Sequence, residues 1–124
     1  MNVFHATEVG DDWAQVHTEL DRAFQMSRSA AQAEQSFVFV VHHDDLLGRR
    51  GAGNAMVATG LLSAARTAAL EGSRRGWTVN VIAHDDSVEP DVIDQWVQWL
   101  EGDSRGLTGE VIRLGAGHLG KTLP

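Results

Sequence analysis

Two short segments dominated by β-branched and aromatic side chains constrain the fold of this chain more than any other feature. The first spans Phe37 to Val41 and the second spans Trp77 to Ala83. Such apolar segments are typical of parallel strands that are covered on both faces. Long stretches with apolar residues at helical spacing lie before and between them, so we predict an α/β fold with right-handed crossovers.

The same periodicity predicts the order of the remaining elements. Helices are expected at about 13–33, 52–74 and 90–100, and short strands at about 3–6 and 110–114. Asp11 and Asp12 precede the first helix and can cap its N-terminus. The predicted fold is therefore α/β: a mostly parallel sheet of about four strands with long helices on its faces.

Length and composition restrict the class of protein. The 124 residues can form one hydrophobic core but not two ordinary domains. A formal net charge of −7 repels phosphate backbones and anionic lipids, so we expect no nucleic-acid or membrane partner. The absence of cysteine excludes disulfides, thiolate metal sites and cysteine nucleophiles. No targeting or membrane-spanning segment is evident, and we expect a cytoplasmic protein.

A set of motif residues with fixed spacing extends over the second half of the chain. Arg66, Glu71, Gly76 and the Val79-Asn80 pair are followed by a segment from Thr108 to Gly117. This pattern resembles the C-terminal half of the short-chain dehydrogenase/reductase family. In that family an Arg, a Glu and an (R/G)-x-x-V-N strand follow the catalytic Tyr-x-x-x-Lys pair, and a TGxxxxVDGG turn closes the sheet. The resemblance implies a single truncated domain, residues 1–124: a three-layer, Rossmann-like half-domain without the N-terminal dinucleotide-binding half.

The catalytic side chains of that family are missing from the corresponding positions. The register of the resemblance places other residues at the positions of the catalytic tyrosine, lysine, serine and asparagine: Asn54, Ala58, Val41 and Leu20, respectively. No G-x-x-x-G-x-G turn follows an N-terminal strand, and the glycine-rich stretch 48–53 is interpreted as a connecting loop rather than a phosphate loop. We therefore expect no catalytic residue of the family, no NAD(P) cofactor, no metal and no reductase activity in this chain alone.

The second long helix is rich in small residues on every side, which lets neighbouring backbones approach closely. The resemblance implies that this helix and the preceding long one pair with symmetry mates in a four-helix interface. Half a sheet cannot cover both sides of two long helices, and exposed apolar patches mark association surfaces. The expected interface residues are Trp13, Leu20, Phe24, Ala58, Leu61, Leu62, Ala65 and Ala69.

Two polar clusters directly follow the two predicted inner strands. His42, His43, Asp44 and Asp45 come after the first strand, and His84, Asp85 and Asp86 come after the second. Ligands bind at the carboxyl ends of strands in open α/β sheets, so these groups could bind a divalent metal or perform proton transfer there. The alternative interpretation, solvated loop residues and helix caps, is favoured because adjacent side chains of an extended chain point in opposite directions.

Two functional hypotheses follow. The first is a noncatalytic protein with a short-chain dehydrogenase/reductase fold that acts through assembly, as a homo-oligomer or as a subunit that stabilises or modulates a full-length reductase. The second is a small non-redox enzyme of the dehydratase, isomerase or cyclase type that uses the strand-end His and Asp groups. Loss of the catalytic positions together with the dinucleotide-binding half favours the first hypothesis.

Overall fold

A computed structural model describes residues 1–102 and 106–116. Four parallel strands form one sheet in the order β1-β2-β3-β4. Their bounds are β1 Asn2–His5, β2 Phe37–His42, β3 Val79–His84 and β4 Val111–Leu114. Because each strand lies beside the next one in the chain and runs parallel to it, a crossover connection separates every pair.

Four helices provide these connections. They are α1 Trp13–Gln32, α2 His43–Leu46, α3 Ala52–Ser73 and α4 Pro90–Gly102. The long helices α1 and α3 pack against each other, and residues of both belong to one core cluster with Phe37, Phe39 and Val81 of the sheet. Val38, Val40 and Ile82 point to the opposite face and pack with Ile93 and Leu100 of α4. This alternation explains why β2 and β3 are apolar at nearly every position.

The N-terminus of α1 is fixed by the acidic pair that precedes it. The Asp12 carboxylate accepts hydrogen bonds from the backbone amides of Ala14 and Gln15. These amides have no partner within the helix, so the side chain satisfies donors that would otherwise be exposed. The predicted cap is confirmed at Asp12.

Side chains join the start of β3, at Val79 and Asn80, to the turn before β4, at Thr108 and Gly109. Asn80 donates to the Leu107 carbonyl at 3.0 Å and accepts from the Glu110 amide at 3.1 Å. Thr108 Oγ1 accepts from the Val79 amide at 3.0 Å. Gly109, with φ of +74°, adopts a left-handed conformation that favours glycine. These motif residues therefore hold β4 against β3, while Gly117 lies outside the described residues.

The predicted fold class is confirmed, and the element bounds differ by only a few residues. The last strand begins at Val111 rather than Glu110, and the third strand begins at Val79 rather than Trp77. Trp77 is nevertheless buried, because its ring packs against Phe37 and over Gly72. The short helix α2 was not predicted.

Candidate functional site

The two strand-end clusters meet at one point. His42 and His84 are directly in register at the ends of β2 and β3, and their ring centroids lie 5.5 Å apart. The Nδ1 atom of His42 accepts a hydrogen bond from the Asp44 amide at 3.1 Å. Its Nε2 atom therefore carries the proton and donates to Asp86 Oδ1 at 2.9 Å.

The partner of His42 lies in the turn after β3, where Asp86 is exposed to solvent. His84 is partly buried, and its Nδ1 lies 3.2 Å from the Asp85 carbonyl, which can only accept. Burial lowers the pKa of His84 below its ordinary value of 6.5, and the neighbouring His42 lowers it further. His84 is therefore a neutral imidazole near pH 7.

The other members of the first cluster are engaged in local structure. His43 is buried and begins α2, and Asp44 contacts Arg49 at 3.3 Å. Asp45 accepts two hydrogen bonds from Arg50, at 2.9 and 2.8 Å, in the bidentate geometry that suits a guanidinium. These interactions hold the loop between β2 and α3 in place.

The cluster thus consists of two neighbouring imidazoles, one of which is hydrogen-bonded to an exposed carboxylate. Among residues 1–102 and 106–116, no group of three or more His, Asp or Glu side chains is placed to hold a metal ion. The arrangement can accept or donate a proton at its rim. Asp85 instead accepts from the amide and hydroxyl of Ser87, which makes it a turn and capping residue.

The position expected for the catalytic tyrosine is occupied by a structural asparagine. Asn54 is buried, its Oδ1 accepts from the Val9 amide at 2.8 Å, and its Nδ2 donates to the Arg50 carbonyl at 2.9 Å. Val41 and Ala58, at the serine and lysine positions, are also buried in the core. These side chains have no acidic or basic group and contact the protein interior.

The N-terminus of α3 faces another part of the same chain. The Asp11 Oδ1 atom lies 3.4 Å from the Gly53 amide. A Cβ atom added at Gly53 would lie 1.8 Å from the Gly10 carbonyl oxygen, so the loop before α1 crosses directly over the helix. A carboxylate and a carbonyl oxygen therefore lie where the helix dipole attracts negative charge.

The eight predicted interface residues fall into two groups. Those on α3 are buried within the chain itself: Ala58, Leu61, Leu62, Ala65 and Ala69. Their small or compact side chains allow α1 and the sheet to approach α3, so the close packing expected with a partner occurs inside the protein. On α1, by contrast, Trp13 and Phe24 are exposed and Leu20 is partly exposed.

Large apolar side chains remain exposed on the outer surface of both long helices. Trp13 and Phe24 of α1 are 65% and 60% exposed, and Met56 and Leu70 of α3 are 44% and 72% exposed. Trp99 of α4, at 43%, is the remaining large exposed apolar residue in the described ranges. The four residues on α1 and α3 are here called the outer helix face.

A groove runs between the two helices on this side of the molecule. Its wider end has a volume of about 540 Å³ and continues into a second part of about 410 Å³. Both parts share Phe24, Ser27, Phe37, Ala68 and Glu71 as lining residues. The groove is therefore an apolar furrow whose floor is the sheet and whose walls are α1 and α3.

Met56 and Leu70 were not among the predicted interface residues, although both are exposed. A signal was present: both lie seven residues from Ser63, and the exposed residues Gly60 and Thr67 fall between them on the same side of α3. This spacing marks one stripe of a helix.

The described residues contain no helix that is long and apolar enough to cross a membrane.

Comparison with known proteins identifies the fold. No family model and no curated protein sequence matches the chain. Among solved structures, the TT0495 protein of Thermus thermophilus aligns with a TM-score of 0.76 and 18% identity, over 98% of this chain and 71% of its own. A Burkholderia xenovorans protein assigned to the short-chain dehydrogenases/reductases aligns with a TM-score of 0.70 and 16% identity, over 98% and 65%.

A Brucella ovis oxidoreductase of the short-chain dehydrogenase/reductase type aligns with a TM-score of 0.66 and 18% identity, over 92% of this chain and 60% of its own. The chain thus spans about two thirds of the length of these solved proteins. This chain therefore has a fold like that of the short-chain dehydrogenases/reductases, and it corresponds to about two thirds of that fold.

Proposed function

We propose that this protein is noncatalytic and acts through assembly, by means of the outer helix face. Its partner is a second copy or a full-length reductase, which it stabilises or modulates. The observation that carries the proposal is the exposure of Trp13, Phe24, Met56 and Leu70 on two adjacent helices. Contiguous exposed apolar side chains rimmed by polar residues are characteristic of protein–protein contact surfaces.

The free energy available from covering this face is substantial. Full burial of one large apolar side chain contributes about 1.5 to 3 kcal/mol relative to leaving it in water. Four such residues on two packed helices, with a groove between the helices, provide the aromatic and aliphatic anchors around which stable interfaces form. Trp99 lies on α4, on the other side of the sheet, and is not part of this surface.

The environment of the positions that correspond to catalytic residues supports a noncatalytic role. Asn54 uses both ends of its amide to hold the N-terminal loop on α3, and Ala58 packs in the core. The carboxylate of Asp11 at the start of α3 repels the phosphate of a dinucleotide. Asn54 and Ala58 therefore contribute to the fold and offer no group for hydride or proton transfer.

Sedimentation velocity tests the proposal with Leu70→Glu and a matched control, Gln98→Glu, which adds the same charge at an exposed position of α4. The wild-type chain should sediment as an oligomer, alone or mixed with a purified full-length reductase of its host. Leu70→Glu should release the monomer with an unchanged circular dichroism spectrum, and Gln98→Glu should behave as wild type. A wild type that stays monomeric in both mixtures, or an unaffected Leu70→Glu, contradicts the proposal.

A second candidate function rests on the contact between His42 and Asp86 beside the neutral His84. We infer that these groups could transfer protons in a dehydration or isomerisation that needs no nicotinamide. The test is turnover of simple β-hydroxy carbonyl compounds by wild type and by His84→Gln. Activity that disappears in the variant supports this function, whereas equal rates for both proteins and for buffer remove it.

A further inference from the structure

We propose that the wide end of the groove between α1 and α3 is a small-molecule site for a zwitterionic amino acid with a large apolar side chain. Its opposite walls carry one cation and one anion that have no ionic partner, and its floor is apolar. The site goes beyond the proposed function, because assembly requires no small ligand.

The wide end of the groove has the size and the floor of a ligand pocket. Its volume of about 540 Å³ lies within the range of about 300 to 1,000 Å³ that is usual for small-molecule sites. The buried rings of Phe37 and Trp77 line it, and their centroids lie 6.0 Å apart. An ion pair between Glu34 and Arg75, at 3.1 Å, joins the segments that follow the two helices at this end.

Two further charged side chains line the wide end from opposite walls. Arg28 belongs to α1 and Glu71 belongs to α3, and both are exposed. Within residues 1–102 and 106–116, neither of them makes an ion pair, whereas Glu34 and Arg75 neutralise each other. A ligand carboxylate on Arg28 and a ligand ammonium on Glu71 would complete both pairs with charge-assisted hydrogen bonds.

The helix dipoles favour a ligand that carries a cation as well as an anion. The helices α1 and α3 run in the same direction because they connect parallel strands, so both end beside the wide end of the groove. The C-terminus of a helix carries partial negative charge, which stabilises an ammonium and repels a carboxylate. A simple carboxylic acid would therefore meet Glu71 and two helix ends without any compensating charge of its own, whereas a zwitterion has one.

Trp77 provides a hydrogen-bond donor that the chain itself does not use. Its Nε1 atom is buried and has no hydrogen-bond partner in the described part of the chain. Buried polar groups without a partner are rare in folded proteins. The Cε3 edge of the indole packs over Gly72, so Nε1 belongs to the opposite edge of the ring. A carboxylate oxygen bound in the cavity that Trp77 lines would supply the missing acceptor.

The narrower part of the groove determines the side chain of the ligand. This part has a volume of about 410 Å³, and the residues that it does not share with the wide end include Leu20, Phe39, Leu61 and Ala64. A ligand whose charged groups contact Arg28 and Glu71 extends its side chain into these apolar surroundings. The site therefore suits an amino acid such as phenylalanine, leucine or methionine, and it disfavours a polar one.

Calorimetric titration of the wild-type chain with phenylalanine tests the ligand class. We expect saturable binding of phenylalanine and at least roughly tenfold weaker binding of phenethylamine, which lacks the carboxylate, and of 3-phenylpropanoate, which lacks the ammonium. Serine has both charges without the apolar side chain and should bind at least roughly tenfold more weakly as well. If phenylalanine gives no saturable heat, or binds no better than these three compounds, the proposal is overturned.

Variants of the two walls test the position of the site. Arg28→Gln and Glu71→Gln should each weaken phenylalanine binding at least roughly tenfold, because each removes one charged pair. Arg74→Gln is the matched control, since Arg74 is exposed near the end of α3 but does not line the groove. It should bind as the wild type does, and circular dichroism should be unchanged for all three variants. A loss in Arg74→Gln equal to that in Arg28→Gln would mean that the charges act without a defined site.

Leu70→Glu separates the ligand site from assembly, because Leu70 lies outside the groove lining. This variant should bind phenylalanine at least as tightly as the wild type. A wild type that assembles, while neither protein binds phenylalanine, overturns the site and leaves the proposed function intact. A wild type that stays monomeric with every partner but binds phenylalanine through Arg28 and Glu71 supports the site and contradicts the proposed function.

Discussion

At the scale of single residues, Asn54 connects three parts of the structure through the two ends of its side-chain amide. Its side-chain oxygen satisfies the Val9 amide and its side-chain nitrogen satisfies the Arg50 carbonyl, all at a buried position. An apolar side chain of similar size would leave both backbone groups without these partners. The residue therefore connects the N-terminal loop, the loop before α3 and the helix itself.

We expect Asn54→Leu to destabilise the protein by at least about 1 to 3 kcal/mol, the cost of leaving a buried polar group unsatisfied. Asn2→Leu is the matched control, since Asn2 makes its side-chain hydrogen bond to Gln35 at an exposed site. The control should change stability by less than about 0.5 kcal/mol. Urea unfolding of both variants measures the difference, and equal stabilities would contradict the structural role of Asn54.

His84 makes stability depend on pH. Burial lowers its pKa in the folded chain, so the unfolded chain binds a proton at a higher pH than the folded chain does. The contribution of His84 is therefore fully present above its ordinary pKa of 6.5 and is lost as pH falls below it toward the lowered value. His42, Asp85 and Asp86 are the titratable groups that act on it.

Unfolding by urea at about pH 7.5 and about pH 5.5, on either side of the ordinary histidine pKa, checks this sign. The wild type should lose stability at the lower pH, and His84→Gln should lose less, because the variant has no imidazole to protonate. His5→Gln serves as the control, since His5 is exposed. An identical acid sensitivity of the wild type and His84→Gln would show that the proton is taken up elsewhere.

Among the elements, α3 depends on close contact with backbone at its start. Gly53 faces the Gly10 carbonyl so closely that any Cβ atom must displace the loop that carries the Asp12 cap of α1. Gly60, in the middle of the same helix, faces only the tip of Leu20 at 3.6 Å, an ordinary contact distance. Gly53 and Gly60 of this helix therefore have different roles.

We expect Gly53→Ala to destabilise the protein by about 1 to 3 kcal/mol through overpacking. Gly60→Ala should be neutral or stabilise it by up to about 1 kcal/mol, because alanine has the higher helix propensity. Thermal unfolding of both variants at low protein concentration measures these changes. Similar melting temperatures for the two variants would contradict the close crossing of the loop over α3.

The contrast between predicted and observed elements has physical causes. Hydrophobic periodicity located the long helices and the inner strands, because it reports directly which side chains are covered. The periodicity does not show whether a covered side chain packs inside its own chain or against a partner. Ala58, Ala65 and Ala69 were therefore predicted to lie in an interface, although α1 and the sheet cover them.

Very short elements, and hydrogen bonds between distant parts of the chain, leave no such periodic pattern in the sequence. The helix α2 has only 4 residues, and the His42 ring nitrogen caps it by accepting from the Asp44 amide. Glu19 is buried on α1, and accepts from the amide and hydroxyl of Thr7. A glutamate at this position suggests a surface residue until the fold places Thr7 beside it. At the strand ends, the register of two parallel strands predicted that the clusters could meet, but the turn geometry selected Asp86 as the partner of His42.

At the scale of the whole molecule, the two sides of α3 should respond differently to charge. Ala65 is buried against the core, whereas Leu70 is the most exposed large apolar residue of the outer helix face. Ala65→Glu leaves an uncompensated charge in the interior, at a cost of about 3 to 5 kcal/mol. It should therefore unfold the protein, whereas Leu70→Glu should only separate subunits. Circular dichroism together with light scattering distinguishes the results, and a folded monomer for Ala65→Glu would contradict the assignment of this position to the core.

Dinucleotide binding also depends on the whole molecule, and one solved neighbour of this fold, a 4-hydroxyisoleucine dehydrogenase, is complexed with NADH. In the present chain, the described residues place the Asp11 carboxylate at the N-terminus of α3. They place apolar or amide side chains at the positions that correspond to catalytic residues. The net charge of −7 adds a repulsion toward an anionic ligand.

We therefore expect no saturable heat when NADH or NADPH is titrated into the isolated chain at up to millimolar concentration. Calorimetry with a full-length reductase under the same conditions is the positive control. Repeating the titration with Asp11→Asn tests whether the carboxylate alone blocks a latent site. We expect no binding there either, because Asn54 already uses both ends of its amide within the chain and Ala58 has no polar side-chain atom. Micromolar binding to the wild type would mean that the α3 N-terminus rearranges to accept a phosphate, and it would restore a cofactor-dependent role for this fold.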